Sequence, residues 1–449
     1  MANNMLRLER LILQNYRRFI ALEIGFHERL TVVVARNGCG KTAVLDAIAV
    51  ALGPFIGAFD NGKGVHFSTS DVRLARNLNV PIGEMEAQYP LRMEAIGLVD
   101  GREETWIREL ATAKSHTTYG EARSLINFGK YLQRIVRNNA DGMTTEIPIL
   151  PLVSYYGTGR LWSEKRLTSG KKSTDAASRM AGYMDCLDSS SRYRIFSDWF
   201  ERLCRMEFEE RESAQKLKEV QSLLKAIRSA VDKVLAPSGW TNISFKSSEL
   251  GIVAEHPSEG SLPVQWLSDG IRNLIGLAAD IAHRAVRLNS HLGSEAVRKT
   301  PGIVMIDEVD MHLHPEWQQI ILSSLLEAYP SIQFIVTTHS PQVLTTVKAE
   351  NIRLISDQVA KRPSFNPYGR VSADALEGIM EVAAAPASIE LTSALDEYKS
   401  LVGRGQHTSS RALELRKQLE AEWGAEDNSL KALDIIIRKN EFLAKTRGG

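Results

Sequence analysis

The chain has 449 residues, of which 43% are hydrophobic and 24% charged, with a formal net charge of +1. This length exceeds one ordinary core, so we expect two or three subdomains of a soluble protein. The balanced charge argues against bulk attraction to nucleic acid or membrane, although local basic patches are compatible with it. The three cysteines show no metal or disulfide spacing, and we find neither a membrane-length apolar run nor a signal-peptide core. We therefore expect a cytoplasmic protein without a membrane partner.

The first segment, residues 5–34, alternates apolar and polar side chains and predicts β-strands. Asn15 to Phe19 occupies the turn between the first two strands. An aromatic residue flanked by arginines is compatible with stacking on a base or contacting phosphate. A hairpin turn with solvated arginines is the equally simple alternative.

The run Ala35-Arg36-Asn37-Gly38-Cys39-Gly40-Lys41-Thr42 lies between an apolar stretch at 30–34 and a helical one at 43–52. This is the strand–loop–helix context of a phosphate-binding loop, where backbone N–H groups surround phosphate at the helix N-terminus. We expect Lys41 to reach the β- and γ-phosphates and Thr42 to hold Mg²⁺. Ala35 replaces the usual first glycine, which costs little only if its φ is negative. The alternative is a glycine-containing turn. The expected nucleotide ligands are Asn37, Gly38, Cys39, Gly40, Lys41 and Thr42.

The middle of the chain is less informative. Residues 86–110 and 147–156 suggest strands, and the second ends in Tyr156-Gly157-Thr158-Gly159-Arg160, either a loop near the ligand or, as spacing alone favours, a glycine-rich turn. Residues 161–191 lack periodicity and predict a mobile or partly ordered loop. Residues 192–236 carry apolar side chains at three- and four-residue steps and predict a helix.

Leu267-Ser268-Asp269-Gly270 precedes a helix predicted over 271–288. Ser268 can cap this helix, whose N-terminal N–H groups form a second anion site.

Two adjacent carboxylates follow the short apolar run 303–306, which is bounded by Pro301-Gly302 and predicts a buried central strand. Like charges at the end of a buried strand repel and resist desolvation, so a cation and an attacking water would explain them. We expect Asp307 to order Mg²⁺ and Glu308 to polarise the water that attacks the γ-phosphate. Surface acids at a strand terminus are the alternative.

Three histidines lie near this region: His312 and His314 before a helix at 317–329, and His339 after a strand at 332–337. A zinc site is only weakly indicated, because neither a cysteine nor an HExxH pattern accompanies them. Residues 373–399 and 409–444 predict helices joined by a linker at 403–406. No acids follow apolar strands there, as a metal-dependent nuclease would require.

In this order, the motifs resemble those of ABC-type ATPase heads of the RecF, SMC and OLD group. Residues 35–42 resemble Walker A, 267–272 the ABC signature, and 303–308 Walker B with its catalytic glutamate. Residues 309–315 stand at the D-loop position, His339 resembles the switch histidine, and Asn15–Phe19 the N-terminal Asn-aromatic-Arg segment. The resemblance, which covers roughly 1–160 and 240–355, implies an α/β P-loop NTPase with a mixed β-sheet flanked by helices.

The chain is more specifically similar to the ATPases of bacterial anti-phage systems such as Septu and some retrons. This similarity involves the segments 155–162 and 307–315 and the C-terminal helical region. His314 stands where SMC-type D-loops usually carry aspartate, which questions SMC-style coupling between sites without arguing against hydrolysis. The domains expected are an N-terminal lobe (1–160), a loop and helical insertion (161–240), a C-terminal lobe (241–355), and a helical, partner-binding region (356–449).

The resemblance implies that each head lacks half a site. Lys41, Glu308 and His339 would be catalytic in one subunit, while Ser268 and Gly270 would contact ATP held by another. It further implies ATP and Mg²⁺ as cofactors, an ATP-dependent homodimer or higher oligomer, and ATP hydrolysis without intrinsic nuclease activity. Two functions follow as hypotheses: a switch that controls a separately encoded effector nuclease in phage defence, or a RecF-like repair ATPase that binds DNA. The second would use a basic patch at Arg160, Lys165, Arg166, Lys171 and Lys172.

Overall fold

The structure is a computed structural model, and it forms two compact units, residues 1–380 and 381–449. Within the part of the chain that it describes, no helix combines the length and apolar character needed to cross a bilayer. The described residues are 5–76, 85–160, 178–189, 193–209, 214–246, 251–356, 358–383, 385–386 and 388–447.

The described strands of the first unit form four sheets. Their bounds, in chain order, are β1 (Leu6–Tyr16), β2 (Phe19–Gly25), β3 (Leu30–Ala35), β4 (Leu74–Arg76), β5 (Met85–Ala87), β6 (Leu91–Val99), β7 (Arg102–Leu110), β8 (Leu152–Tyr156), β9 (Thr241–Lys246), β10 (Gly251–His256), β11 (Gly260–Pro263), β12 (Gly302–Ile306), β13 (Ile332–Thr337), β14 (Ile352–Ser356) and β15 (Val359–Lys361).

Helices cover these sheets in the first unit and make up the second. They are α1 (Lys41–Ile56), α2 (Arg123–Ala140), α3 (Tyr193–Glu209), α4 (Ala214–Leu235), α5 (Asp269–Leu288), α6 (Ala296–Lys299), α7 (Pro315–Gln318), α8 (Ile321–Ala328), α9 (Pro341–Leu344), α10 (Ser372–Gly378), α11 (Glu390–Gly403), α12 (Ser410–Trp423) and α13 (Asn428–Arg447).

The central sheet has the order β15-β14-β3-β13-β12-β8. Its strands β14, β3, β13, β12 and β8 are parallel, and only the edge strand β15 runs antiparallel. Every residue of β3, β12, β13 and β8 is buried, as expected for parallel strands covered on both faces. A second, antiparallel sheet has the order β2-β1-β6-β7. The predicted mixed sheet with flanking helices is thus confirmed.

Several predicted boundaries need correction. Of the loop predicted to be mobile or partly ordered, residues 178–189 are described, and Tyr183 in it is fully buried and donates a hydrogen bond to Pro151 O. The helix predicted over 192–236 is described as α3 and α4, on either side of residues outside the described set. The helix predicted over 373–399 is two helices, α10 and α11, and Pro386 lies between them, where a helix interior would lose a hydrogen bond.

Candidate functional site

The predicted motifs meet at one edge of the central sheet. In parallel strands the carboxyl ends lie on the same edge, and this is where ligands bind in open α/β sheets. Here β3 ends at Ala35, β12 at Ile306 and β13 at Thr337. The phosphate-loop candidate, the two acids and the candidate switch histidine follow these three strand ends directly.

The loop after β3 has the backbone that its sequence requires. Ala35 lies in the extended strand and is absent from the residues with positive φ, so glycine is not needed there. Gly38 and Gly40 have φ of 72° and 93°, in the left-handed region that glycine adopts without steric cost. The exposed residues 36–38 precede α1, which begins at Lys41. The loop therefore presents backbone N–H groups at a helix N-terminus.

Phe19 and Arg18 support the loop from the first hairpin. A Cβ atom on Gly40 would lie 2.5 Å from Phe19 Cζ, so the ring occupies the space that a side chain would need. Arg18 Nη1 donates to Gly38 O at 2.5 Å. Tyr16 and Phe19 are buried core residues, which gives no support to base stacking by their rings, and a contact of this segment with phosphate stays a prediction. The turn is a hairpin, as in the alternative interpretation.

The Arg17 guanidinium forms ion pairs with two aspartates and is therefore not simply solvated. Its Nη1 donates to Asp46 Oδ2 at 2.6 Å, and its Nε donates to Asp71 Oδ1 at 2.9 Å. Tyr155 Oη donates to the other oxygen of Asp46 at 2.9 Å. This network ties the first hairpin and β8 to α1, and no local sequence pattern predicted it.

Lys41, the first residue of α1, directly follows the loop and is only 6% exposed. Its Nζ donates to Ala35 O at 3.1 Å. Burial lowers the pKa of Lys41, while Asp307 and Glu308 act in the opposite direction. A bound phosphate would add negative charge beside this buried ammonium and so stabilise its charged form.

Thr42 and Asp307 bring the two halves of the motif together, since Thr42 Oγ1 donates to Asp307 Oδ2 at 2.7 Å. A hydroxyl and a carboxylate oxygen at this separation suit Mg²⁺, which takes few protein ligands and completes its shell with phosphates and water. Among the described residues, no group of three or more His, Cys, Asp or Glu side chains is arranged to hold a metal ion. The donor set therefore fits Mg²⁺ and gives no support to the zinc interpretation of His312, His314 and His339.

Glu308 follows with a strained backbone. Its φ is 48°, a conformation that is uncommon for a residue with a side chain. Its N–H donates to Thr337 Oγ1 at 2.8 Å, and Thr337 Oγ1 donates to Asp307 Oδ1 at 2.5 Å. Thr337 was not among the predicted site residues.

His339 lies half-buried beyond the end of β13. Burial and then the charge of Lys41 lower the pKa of His339, so its imidazole is neutral at pH 7. Next to it, Thr338 Oγ1 donates to Asp310 Oδ1 at 2.6 Å, which joins the candidate switch segment to the candidate D-loop.

The signature segment lies at the start of α5. Ser268 is the N-cap residue, but within the described structure its side chain makes no capping hydrogen bond, so the predicted side-chain cap is wrong. Ser268 and Asp269 are exposed. Gly270 packs against the D-loop, since a Cβ atom there would lie 2.6 Å from His312 O. The first turn of α5 thus offers an uncapped serine and N–H groups to an anion from outside.

The rest of α5 is fixed by a buried ion pair. Arg284 Nε and Tyr156 Oη each donate to Asp280 Oδ2 at 2.7 Å. Burial would raise the pKa of Asp280, but Arg284 and His283 outweigh it and hold that pKa well below its usual value. Arg284 also donates to the carbonyls of Gly182 and Met184. The candidate ligand loop 156–160 thus begins beside α5 and β12, where Asp307 N–H donates to Tyr156 O.

Part of one hypothesis lies outside the described residues. Lys165, Arg166, Lys171 and Lys172 of the predicted basic patch, and the end of the similar segment 155–162, belong to residues 161–177.

A strand–loop–helix phosphate site beside two strand-end acids is characteristic of the P-loop ATPases, and the mixed sheet with a helix after the signature-like segment resembles an ABC-type head. Family comparison agrees: residues 10–232 match an AAA domain, and residues 152–345 match an AAA domain whose description names the AbiEii toxin and type IV TA systems.

Relatives that match most of the chain indicate the kind of ATPase more specifically. The chain is 28% identical to the Retron Vc95 probable ATPase of Vibrio cholerae serotype O1 biovar El Tor, over 94% of this chain and 88% of the relative. It is 26% identical to the Retron Ec83 probable ATPase of Escherichia coli, over 97% and 87%. The Septu protein PtuA of Bacillus thuringiensis is 24% identical over 72% and 69%. The chain thus has a P-loop ATPase fold and is similar over nearly its whole length to the ATPases of retron systems, and over a smaller part to the Septu protein PtuA.

Solved structures include a similar Smc head domain from Pyrococcus furiosus, bound to the C-terminal domain of ScpA. It is 14% identical with a TM-score of 0.48, over 80% of this chain and 96% of that one.

Proposed function

We propose that the protein is an ATP-hydrolysing switch subunit of a bacterial anti-phage system. It dimerises when ATP binds, and this change controls a separately encoded effector nuclease. The observation that carries the proposal is the divided site. Lys41, Thr42 and Asp307 are collected at one sheet edge, whereas the first turn of α5 is exposed around Ser268.

The proposed roles follow from this geometry. The N–H groups of residues 37–42 and the Lys41 ammonium bind the β- and γ-phosphates. Thr42 and Asp307 hold Mg²⁺, which neutralises charge developing on the phosphates. Glu308 polarises the attacking water, and the neutral His339 contacts the γ-phosphate side of the site. Ser268 and Gly270 of a second copy complete the site, because a phosphate between two helix N-termini is stabilised from both sides.

The dimer is tested by mass. We expect Glu308→Gln, which retains ATP binding but not hydrolysis, to double from 49.9 kDa in light scattering when ATP and Mg²⁺ are added. Lys41→Ala should neither bind ATP nor change mass. Ser268→Arg should bind ATP but stay at the smaller mass, because the added side chain occupies the contact. A Glu308→Gln protein that keeps one mass at saturating ATP and Mg²⁺ contradicts the dimer.

The effector is tested by co-purification. A tagged chain expressed with its neighbouring genes should retain a nuclease subunit in the presence of ATP and not with Lys41→Ala. If the purified chain instead binds duplex ends alone, with an affinity that falls steeply with salt, the RecF-like hypothesis replaces the defence switch.

A further inference from the structure

We propose that Thr337 is a positioning residue that holds both acids of the site, Asp307 and Glu308, through its single hydroxyl group. This inference rests on the proposed function, because it takes Asp307 as the Mg²⁺ ligand and Glu308 as the residue that polarises water.

The contacts are short and buried. Thr337 ends β13 and is 0% exposed. Its Oγ1 accepts the Glu308 N–H at 2.8 Å and donates to Asp307 Oδ1 at 2.5 Å. Its carbonyl accepts the Val309 N–H at 3.0 Å. Three successive residues after β12 are therefore bound to one residue of the adjacent strand.

The hydrogen-bond directions follow from the chemistry of the groups. A backbone N–H can only donate, so it fills an acceptor site of the hydroxyl and leaves the hydroxyl proton for the carboxylate. The two oxygens of Asp307 are then distinguished: Oδ1 faces Thr337, and Oδ2 faces Thr42 at 2.7 Å. Thr337 thus selects which Asp307 oxygen points toward the Mg²⁺ position.

The same hydroxyl supports the strained backbone of Glu308. A left-handed φ is strained for a residue with a side chain and persists only where surrounding contacts fix it. Because Thr337 binds the Glu308 N–H, it holds the peptide from which the Glu308 carboxylate projects.

Thr338 provides a matched control. It is also 0% exposed and adjacent in sequence, but its hydroxyl donates to Asp310 Oδ1 at 2.6 Å and accepts the Ser340 N–H at 2.9 Å. Thr338→Val therefore makes the same chemical change one residue away from the proposed contacts.

The experiment measures metal dependence separately from turnover. Wild type, Thr337→Val, Thr337→Ser and Thr338→Val are mixed with a non-hydrolysable ATP analogue, and the rise in melting temperature is followed as Mg²⁺ is added. For Thr337→Val we expect the Mg²⁺ concentration at half effect to rise about tenfold, as for loss of one charge-assisted hydrogen bond. The affinity for the analogue without Mg²⁺ should stay unchanged. The kcat for ATP should fall at least tenfold with little change in KM, because Glu308 is also released.

Thr337→Ser should restore both quantities to within about threefold, since it keeps the hydroxyl, and Thr338→Val should leave the Mg²⁺ midpoint unchanged. If Thr337→Val does not fold, Thr337→Ala is measured instead. The proposal is overturned if a folded variant without the hydroxyl has the wild-type midpoint and kcat, or if serine fails to restore them. Failure of the proposed function looks different: the wild type itself would then neither hydrolyse ATP nor gain stability from Mg²⁺ with the analogue.

Discussion

At the carboxyl edge of the central sheet the polar groups of the site form hydrogen bonds with one another. Thr42 and Thr337 each donate to a different oxygen of Asp307. At the start of α5, Ser268 and Asp269 are exposed, and the neighbouring Trp266 is 75% exposed. Yet the same helix is anchored by Asp280 further along. The sheet edge is therefore organised within one chain, whereas α5 is a fixed support whose first turn faces outward.

The largest expected effect on stability is that of Asp280→Asn, which removes the charged partner in the buried ion pair of α5. This change leaves Arg284 buried without its carboxylate, and we expect a loss of about 3–5 kcal/mol in the free energy of unfolding, measured by urea denaturation. Asp269→Asn, on the exposed end of the same helix, should cost less than about 1 kcal/mol.

The same variant predicts a pH dependence. The pKa of Asp280 is lower in the folded protein than its ordinary value of 3.8, so its charge stabilises the fold fully above that value. This contribution declines as the pH falls below about 4. The stability gap between wild type and Asp280→Asn should therefore be constant from pH 6 to 8 and narrow in acid. A gap that widens in acid would contradict the charged state assigned to Asp280.

A milder change separates the hydrogen bond from the ion pair. Tyr156→Phe removes only the hydroxyl that donates to Asp280, and we expect a loss of about 1.5–3 kcal/mol because the acceptor is charged. The control is Tyr329→Phe, whose hydroxyl donates to the neutral carbonyl of Ala278, and it should cost about 1 kcal/mol. A larger loss for Tyr329→Phe would argue against a charged Asp280.

Gly270→Ala tests how closely the first turn of α5 packs on the D-loop. The new Cβ would meet the backbone oxygen of His312 at 2.6 Å, so we expect a loss of about 1–3 kcal/mol and weaker ATP-dependent dimerisation. Gly403→Ala, in α11, has no atom within 4 Å of its Cβ and should be neutral or slightly stabilising. Equal melting temperatures for both variants would show that the contact relaxes freely.

The smallest effect on stability is expected for Trp266→Ser. An exposed side chain contributes within about 0.5 kcal/mol to folding, so thermal unfolding should be unchanged. If the exposed start of α5 meets a second copy, the same variant should weaken the ATP-dependent dimer in light scattering. An unchanged dimer would place Trp266 outside the interface.

Local patterns were sufficient for the parts of the fold that depend on neighbouring residues. The apolar runs of β12 and β13, bounded by glycine, proline or polar residues, gave strands that match the structure closely, as did the loop before α1. Pro386 could also have predicted the break between α10 and α11, because proline interrupts a helix. The prediction of one helix over 373–399 did not use this signal.

Contacts between residues far apart in the chain could not be predicted from local patterns. Thr337 meets Asp307 because β13 lies beside β12 in a register that pairs Val336 with Ile306. No local pattern specifies that register across about 30 residues of intervening chain. The same limit explains why Asp280, a polar residue within an apparently amphipathic helix, was not connected with Tyr156.

Tyr155 and Tyr156 are consecutive residues of β8, and the pleat of a strand directs them to opposite faces. The Tyr155 hydroxyl donates to Asp46 on α1, and the Tyr156 hydroxyl donates to Asp280 on α5. Two neighbouring residues of β8 thus connect the helix that follows the phosphate loop with the helix that follows the signature segment. Inserting or deleting one residue in this strand would turn the side chains beyond it to the opposite face, so the length of β8 is constrained beside the site, where Tyr156 O accepts the Asp307 N–H.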